Sequence, residues 1–157
     1  MHRNVAAVVE AGRSIGIDVR PREFARSTRT AAEAAEAIGV ELGQIVKSLV
    51  FTVDDRPVLA LVGGDRLLDE HKLAAAAGGT ASRRPDADLV RAVTGFPVGG
   101  VPPFGHSSQL PVFVDLGLLD YDEVWAAAGT PNANFPLDPR HLAQATAGTV
   151  ADLGRHP

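Results

Sequence analysis

The chain has 157 residues, 45% of them hydrophobic, with no cysteine and a formal net charge of −4 at pH 7. The lack of cysteine excludes disulfides, cysteine-ligated metals and a thiol nucleophile. The acidic balance argues against a broad surface that coats nucleic acid, because such a surface needs many phosphate contacts, but it permits binding of one small piece of an RNA.

Length and hydropathy predict one domain. No apolar run approaches the roughly 20 residues that span a bilayer. Glu10 interrupts the N-terminal apolar segment where the core of a signal peptide would continue. We therefore expect a single domain over residues 1–157, located in the cytoplasm and making no membrane contact.

The first third of the chain predicts helix, strand, helix. Apolar residues at helical spacing predict a helix over residues 4–15. The segment "IDVRPREF" predicts a strand in which Pro21, which cannot donate to a neighbour, either weakens the centre or marks an edge. Thr30 with Glu33 three residues on forms a capping box, and Gly39 is placed to end the helix that follows.

The rest of the chain alternates strands and helices. "IVKSLVFTV" (45–53) and "PVLALVGG" (57–64) predict a hairpin through the short "DDR" link. Further predicted elements are helices over 67–77 and 86–93, a strand in "LPVFVDLG", a helix in "YDEVWAAAG", an extended "NANFPL", a helix in "DPRHLAQATAG" and a strand in "TVADL". Because several links are too short for parallel crossovers, we expect an α/β fold with a mixed, largely antiparallel sheet flanked by helices.

Lys47 breaks the pattern of its strand. Side chains alternate along a strand, so Lys47 shares a face with Ile45, Leu49, Phe51 and Val53. A lysine among such neighbours must lose its proton or find a partner. Two interpretations remain open: a stem that reaches water from the start of the strand, or a functional cation.

The loop "GFPVGGVPPFGH" (95–106) is apolar yet rich in glycine and proline. The amides of Gly99, Gly100 and Val101 can converge on an oxygen as a small anion or oxyanion nest. Pro102 and Pro103 stiffen that arrangement. The alternative is a turn that only connects two elements.

Other candidate residues have structural explanations. The five histidines show no metal-ligand spacing, so neither a metal nor a cofactor is predicted. Asp115 and Asp120 are placed to cap or end elements rather than to act as a catalytic pair. Trp125, the single tryptophan, is predicted to anchor the core.

Four stretches in order resemble the YbaK/EbsC family, free-standing relatives of the editing (insertion) domain of bacterial prolyl-tRNA synthetases. They are "TAAEAAEAIGVELGQIVKSLVF", "VLALVGGDRLLDEHKLAAAAG", "GFPVGGVPPFGH" and "VFVDLGLLDYDEVWAAAG". The most specific parts are the lysine within "IVKSLVF" and the GxxxP pattern, here residues 99–103. The similarity runs from about Thr28 to the last strand.

The resemblance implies hydrolysis of the ester that joins a wrong amino acid to the tRNA 3′-adenosine, without a metal. The attacking water is then aided by the substrate's own hydroxyls. Lys47, Gly99 and Gly100 become the expected catalytic residues, with Lys47 facing the terminal phosphate or the amino-acid end. The residues expected to bind the substrate are Thr30, Val101, Pro102, Pro103, His106 and Asn134.

The resemblance also sets the expected partners. The expected partner is the 3′ end of an aminoacyl-tRNA, with tRNA(Pro) following the family's pattern. The available cations are Lys47, Lys72, Arg83 and Arg84. A synthetase is a further expected partner that would offset modest tRNA affinity. Asn134 stands where some family members carry an acidic residue, which leaves alanine, cysteine, serine and threonine open as the amino acid removed. Two other functions compete: a module that binds a nucleotide or aminoacyl-tRNA end without turnover, and a hydrolase or lyase that uses Lys47 as a Schiff-base nucleophile.

Overall fold

The computed structural model describes residues 1–157. Five α-helices are formed: α1 (Arg3–Ser14), α2 (Ala31–Ile38), α3 (Glu70–Ala76), α4 (Ala87–Thr94) and α5 (Pro139–Ala145). The predicted capping box of α2 is confirmed, because Thr30 and Glu33 bond each other's backbone amides and Gly39 ends the helix at φ 85°. None of these helices combines the length and hydropathy needed to cross a membrane.

Ten strands make three sheets. The strands are β1 (Arg22–Glu23), β2 (Val46–Val53), β3 (Arg56–Gly63), β4 (Leu67–Leu68), β5 (Ser82–Arg83), β6 (Val112–Asp115), β7 (Val124–Ala127), β8 (Ala133–Leu137), β9 (Thr149–Ala151) and β10 (Gly154–Arg155). The main sheet has the order β5-β2-β3-β6-β9, a second has β1-β8-β7, and β10 pairs with β4. Only the β3–β6 and β6–β9 pairs are parallel, which confirms the mixed, largely antiparallel sheet.

The hairpin of β2 and β3 turns through Asp54 and Asp55, which have φ values of 48° and 67°. Two successive positive φ angles match the twist of the flanking strands in a two-residue hairpin. The Asp54 carboxylate also accepts hydrogen bonds from the amides of Thr80 and Ala81. The turn therefore ties the hairpin to the segment that leads into β5.

The main sheet is buried on both faces, as the alternation along β2 requires. Val46 and Val50 belong to the larger apolar cluster, which contains Phe104 and Phe135. The opposite face of β2 contributes Phe51 and Val53 to a second cluster under α3. Since Lys47 shares the latter face, it sits at the rim of an apolar layer.

The prediction of a helix in residues 121–129 is wrong, because the segment forms β7. Val124 and Ala126 are fully buried and Trp125 is 6% exposed. A surface helix, which has one face in solvent, does not bury three successive side chains in this way. Pairing with β8 and a parallel bridge between Ile45 and Trp125 override the helix propensity of the alanines. Trp125 does anchor a core cluster, as predicted. The expected strand around Pro21 is reduced to the two residues of β1.

Candidate active site

A cavity of about 500 Å³ opens beside β2. Its walls come from the N-terminal turn of α2, from β2, from the start of α4, and from the loop after α4. The lining residues are Thr28, Arg29, Thr30, Ala31, Ala34, residues 45–51, Arg84, Pro85, Ala87, Val90, Val98, Gly99, Val101, Ala127 and Asn134. The predicted site residues Lys47, Thr30, Gly99, Val101 and Asn134 are thus brought together in one cavity.

Lys47 is partly buried in the wall of this cavity. Its Nζ donates a hydrogen bond to the main-chain carbonyl of Arg66, and no carboxylate lies within ion-pair distance. Burial lowers the pKa of Lys47 below its usual value, an effect opposed by Asp65 and reinforced by Arg84. The ammonium is therefore oriented by a neutral acceptor, and its positive charge is available to a ligand.

The loop after α4 forms a β-turn whose hydrogen bond runs from the Gly100 amide to the Pro97 carbonyl, at 3.0 Å. Gly99 takes the positive φ of 85° that this turn requires. The amides of Gly99 and Val101 make no hydrogen bond within the chain. The prediction that three amides form the nest is wrong for Gly100, whose amide already donates to Pro97. Only the amides of Gly99 and Val101 are free to bind a ligand.

Gly100 also differs from the expectation in what it approaches. A Cβ at this position would lie 3.0 Å from the backbone of Gly129 and Thr130, and Gly100 is buried and absent from the cavity wall. Its missing side chain lets two protein segments pack. The close approach is to the β7–β8 connection rather than to a ligand.

Pro102, Pro103 and His106 likewise do not line the cavity. The His106 Nε2 lies 2.7 Å from the Pro102 carbonyl, and its ring packs edge-on against Phe96. Burial lowers the pKa of His106, and the contact with Pro102 opposes that effect. These three residues hold the loop from behind instead of contacting the cavity.

Two polar pairs stand at the α2 side of the cavity. Thr30 bonds Glu33 in the capping box, which fixes its hydroxyl at the cavity wall. The buried side-chain amide of Asn134 donates to the hydroxyl of Thr28, which in turn donates to the Pro131 carbonyl at 3.3 Å. Asn134 therefore joins β8 to the segment that leads into α2.

The edge of β2 that faces the cavity has unpaired main-chain groups. The Leu59 amide donates to Pro111, away from β2, and Leu59 is the register partner of Val50. Since main-chain groups alternate in direction along an antiparallel pair, Ser48 and Val50 turn theirs away from β3. The only pairing on that edge is with β5 at Thr52 and Val53 and with Trp125 at Ile45, so the stretch between is free.

Ser48 and Arg29 line the cavity, although neither is predicted from the sequence as a site residue. Arg84 also lines the cavity; from the sequence it is named as an available cation but is not placed there. The Ser48 Oγ is buried at the cavity without a hydrogen-bond partner. Arg29 and Arg84 are exposed and make no ion pair. A polar residue in the alternation of β2 was the available signal for Ser48, whereas only the fold brings the two arginines to one opening.

The remaining groups of the cavity fit ester or nucleotide binding better than metal binding. No cluster of three or more His, Asp or Glu side chains is placed to hold a metal ion. The site instead combines one oriented cation, free amides at a glycine turn, and a free strand edge. Such groups bind anions and polarised carbonyl oxygens.

Comparison with known proteins places the chain in a family. Residues 25–145 match the family described as the aminoacyl-tRNA editing domain. The chain is 36% identical over 123 residues to the uncharacterized protein YwhH of Bacillus subtilis, covering 78% of each. It is 32% identical to EbsC of Enterococcus faecalis, described as a candidate Cys-tRNA(Pro)/Cys-tRNA(Cys) deacylase, over 79% of this chain and 76% of the relative.

Longer enzymes and a solved structure extend the comparison. A proline–tRNA ligase of Maridesulfovibrio salexigens is 42% identical over 90 residues, which are 57% of this chain and 15% of the ligase. The crystal structure of a candidate trans-editing enzyme for prolyl-tRNA synthetase superposes with a TM-score of 0.92 at 44% identity over 99% of both chains. The chain therefore belongs to the aminoacyl-tRNA editing domain family, and its activity is the deacylation of aminoacyl-tRNA.

Proposed function

We propose that the chain acts in trans, as one domain over residues 1–157, on tRNA(Pro) that carries a small wrong amino acid. Alanine, cysteine, serine and threonine are the candidate amino acids. The observation that carries this proposal is the joint presence of Lys47 and the Gly99 turn in the walls of one cavity beside the free edge of β2.

The free amides of Gly99 and Val101 bind the ester carbonyl or the terminal ribose. A carbonyl oxygen gains negative charge as water adds to its carbon, and preorganised amides stabilise that charge. Val98 and Val101 supply apolar surface next to these amides; Val98 is 57% exposed at the tip of the turn.

Lys47 supplies a cation for the terminal phosphate or for the amino-acid end of the substrate. Its hydrogen-bond partner is a neutral carbonyl, so no ion pair occupies its positive charge. The outward carbonyls of Ser48 and Val50 are acceptors for the substrate's α-ammonium group, and the unpartnered Ser48 hydroxyl is a further contact for a polar substrate group. Unpaired strand edges bind extended ligands in this way.

The reaction adds water to the ester carbonyl carbon and breaks the bond to the ribose oxygen. The amino acid leaves as a carboxylic acid, and the ribose oxygen takes a proton. The family resemblance implies that a hydroxyl of the terminal ribose assists the water. A cavity lining with neither histidine nor a carboxylate is consistent with that role.

Arg29 and Arg84 flank the cavity opening and bind phosphates of the single-stranded tRNA end. Few such contacts imply modest affinity, since each phosphate contact contributes separately to binding. A synthetase partner that delivers the tRNA compensates for this, and the cytoplasm is where charged tRNA is available.

The test is hydrolysis of tRNA(Pro) charged separately with alanine, cysteine, serine, threonine or proline. We expect fast loss of at least one wrong amino acid while proline is spared, and we expect Lys47→Ala to abolish the loss. Arg20→Ala serves as a control because Arg20 is exposed and pairs only with Asp18. If the protein binds all five charged tRNAs but hydrolyses none faster than the spontaneous rate, the result would contradict the proposed deacylase and support a binding module.

A further inference from the structure

The acceptor that orients Lys47 belongs to a residue whose side chain is itself fixed. Arg66 offers its main-chain carbonyl to the Lys47 Nζ from the turn that follows β3. The guanidinium of the same residue points to the C-terminal segment, where its Nη2 donates to the Gly154 carbonyl at 2.8 Å. One residue thus links the cavity to the end of the chain.

A buried carboxylate holds this guanidinium. Asp115 is 0% exposed, and its Oδ2 lies 3.5 Å from the Arg66 Nη1. Its oxygens also accept from the amides of Gly117, at 3.1 Å, and of Leu153, at 2.8 Å. A carboxylate with this many donors has one position, so it fixes the arginine as well as the two backbone segments.

Glycines make room for the arginine. A Cβ at Gly154 would lie 2.6 Å from the Arg66 Nε, and a Cβ at Gly117 would lie 3.2 Å from its Nη1. Lys72 contacts the same residues. Its Nζ donates to the Gly154 carbonyl at 2.8 Å and forms an ion pair with Asp152 at 3.0 Å. We call Asp115, Asp152, Gly154 and Lys72 the C-terminal clasp.

We infer that Arg66 is a positioning residue for Lys47: the C-terminal clasp fixes the arginine, and the main-chain carbonyl of the arginine fixes the lysine ammonium. A lysine stem has four flexible carbons and would otherwise extend to water. Misplacing a functional group by about 1 Å can cost about a hundredfold in rate. The clasp therefore acts on deacylation without touching the substrate.

This inference rests on the proposed role of Lys47, but its test does not need activity. The chain contains only two lysines, Lys47 and Lys72. Labelling lysine with ¹³C at Cε gives one resonance for the site and one for the clasp, and titration of each gives its pKa without substrate. Lys72 reports whether the clasp has opened, while Lys47 reports whether its anchor is lost.

Two variants separate anchoring from simple electrostatics. Arg66→Ala removes a positive charge, which by electrostatics alone would raise the pKa of Lys47, whereas Asp115→Asn removes a negative charge, which alone would lower it. Loss of the anchor frees Lys47 to reach water, which relieves the burial that lowers its pKa. Asp65 and Arg84, the charged groups that also act on Lys47, are unchanged in both variants.

We expect the pKa of Lys47 to rise in both variants, with kcat about tenfold to a hundredfold lower and KM within about twofold. Arg155→Ala is the matched control. Arg155 follows Gly154 in β10, is exposed and makes no ion pair. If Arg66→Ala does not fold, Arg66→Gln replaces it, because glutamine adds no third lysine resonance, and it should change the pKa of Lys47 in the same direction. A folded Asp115→Asn protein in which the pKa of Lys47 falls or stays unchanged overturns the inference. Wild type without deacylase activity would refute the proposed function and leave the pKa result standing.

Discussion

The Asn134 side chain donates its amide to the Thr28 hydroxyl inside the wall of the cavity. The two residues are buried and lie 106 positions apart in the chain. Their bond connects β8 to the segment that begins α2, and so it sets the distance between two walls of the site.

Replacing Thr28 with valine tests this connection. The change keeps the shape of the side chain but leaves the Asn134 amide without its acceptor. An unsatisfied buried donor costs about 1–3 kcal/mol, so we expect the free energy of unfolding in urea to fall by that amount. Thr52→Val is the control, because the Thr52 hydroxyl makes only a long contact of 3.5 Å. Equal effects of the two substitutions would show that the Thr28–Asn134 bond is not what stabilises this wall.

Alanine at Gly99 should impair both the turn and the cavity. Position 99 has φ 85°, and an added Cβ would collide with the Arg29 side chain. The positive φ alone costs about 1–2 kcal/mol in a non-glycine residue. Gly16→Ala is the matched control, since Gly16 has the same φ of 85° with nothing within 4 Å of an added Cβ.

We expect Gly99→Ala to lose at least as much stability in thermal unfolding as Gly16→Ala, because it adds the contact with Arg29 to the same backbone strain. Only Gly99→Ala should lose deacylation rate. Gly100→Ala should lower stability by pressing on the Gly129 backbone. A Gly99→Ala enzyme as active as Gly16→Ala would mean that the turn does not contact the substrate.

His106 should make the loop sensitive to acid. Its folded pKa lies below the usual value because of burial, so the unfolded chain binds the proton more tightly than the folded chain. The stabilisation is therefore fully present above the ordinary histidine pKa of about 6.5. It is lost as the pH falls through the lowered folded pKa.

The measurement compares wild type with His106→Gln by urea unfolding between pH 7.5 and 4.5. The wild type should lose stability over the acidic part of this range more steeply than the variant. Parallel curves for the two proteins would remove His106 as the source of the acid sensitivity.

Arg29 and Arg84 should act on tRNA binding rather than on the chemical step. Each lost phosphate contact reduces the dependence of log K on log salt by about one unit. We expect Arg29→Ala and Arg84→Ala each to raise KM and flatten this salt dependence, with kcat nearly unchanged. Arg20→Ala should leave both quantities at their wild-type values. A fall in kcat at constant KM would instead place the arginines in the chemical step.

Local signals in the sequence predict the elements whose causes are local. The capping box of Thr30 and Glu33, the two-residue turn after Val53 and the alternation that isolates Lys47 all depend on neighbouring residues. The helix prediction around Trp125 is wrong because pairing with β8 makes this segment a strand. Its successive alanines show neither the helical nor the strand pattern of apolar and polar residues.

The parts of the site that sequence reasoning missed depend on distant contacts. Asp115 was expected to cap an element, and it does accept from the Gly117 amide. Its contacts with Arg66 and with the C-terminal residues have no local pattern, because Leu153 lies 38 positions away. The glycine pair predicts that Gly100 contacts a ligand, but a glycine pair has the same appearance in sequence when its backbone approaches another protein segment. In the structure that segment is the Gly129 backbone.

The most direct test of the central claim is single-turnover hydrolysis of mischarged tRNA(Pro) by wild type and Lys47→Met. Methionine keeps the apolar stem and removes the charge, so the stability of the variant should equal or exceed that of wild type. We predict that the variant binds the tRNA and stays folded but hydrolyses the ester about 10²–10³-fold more slowly. A variant that hydrolyses the ester at the wild-type rate would contradict the claim that Lys47 in this cavity carries the activity.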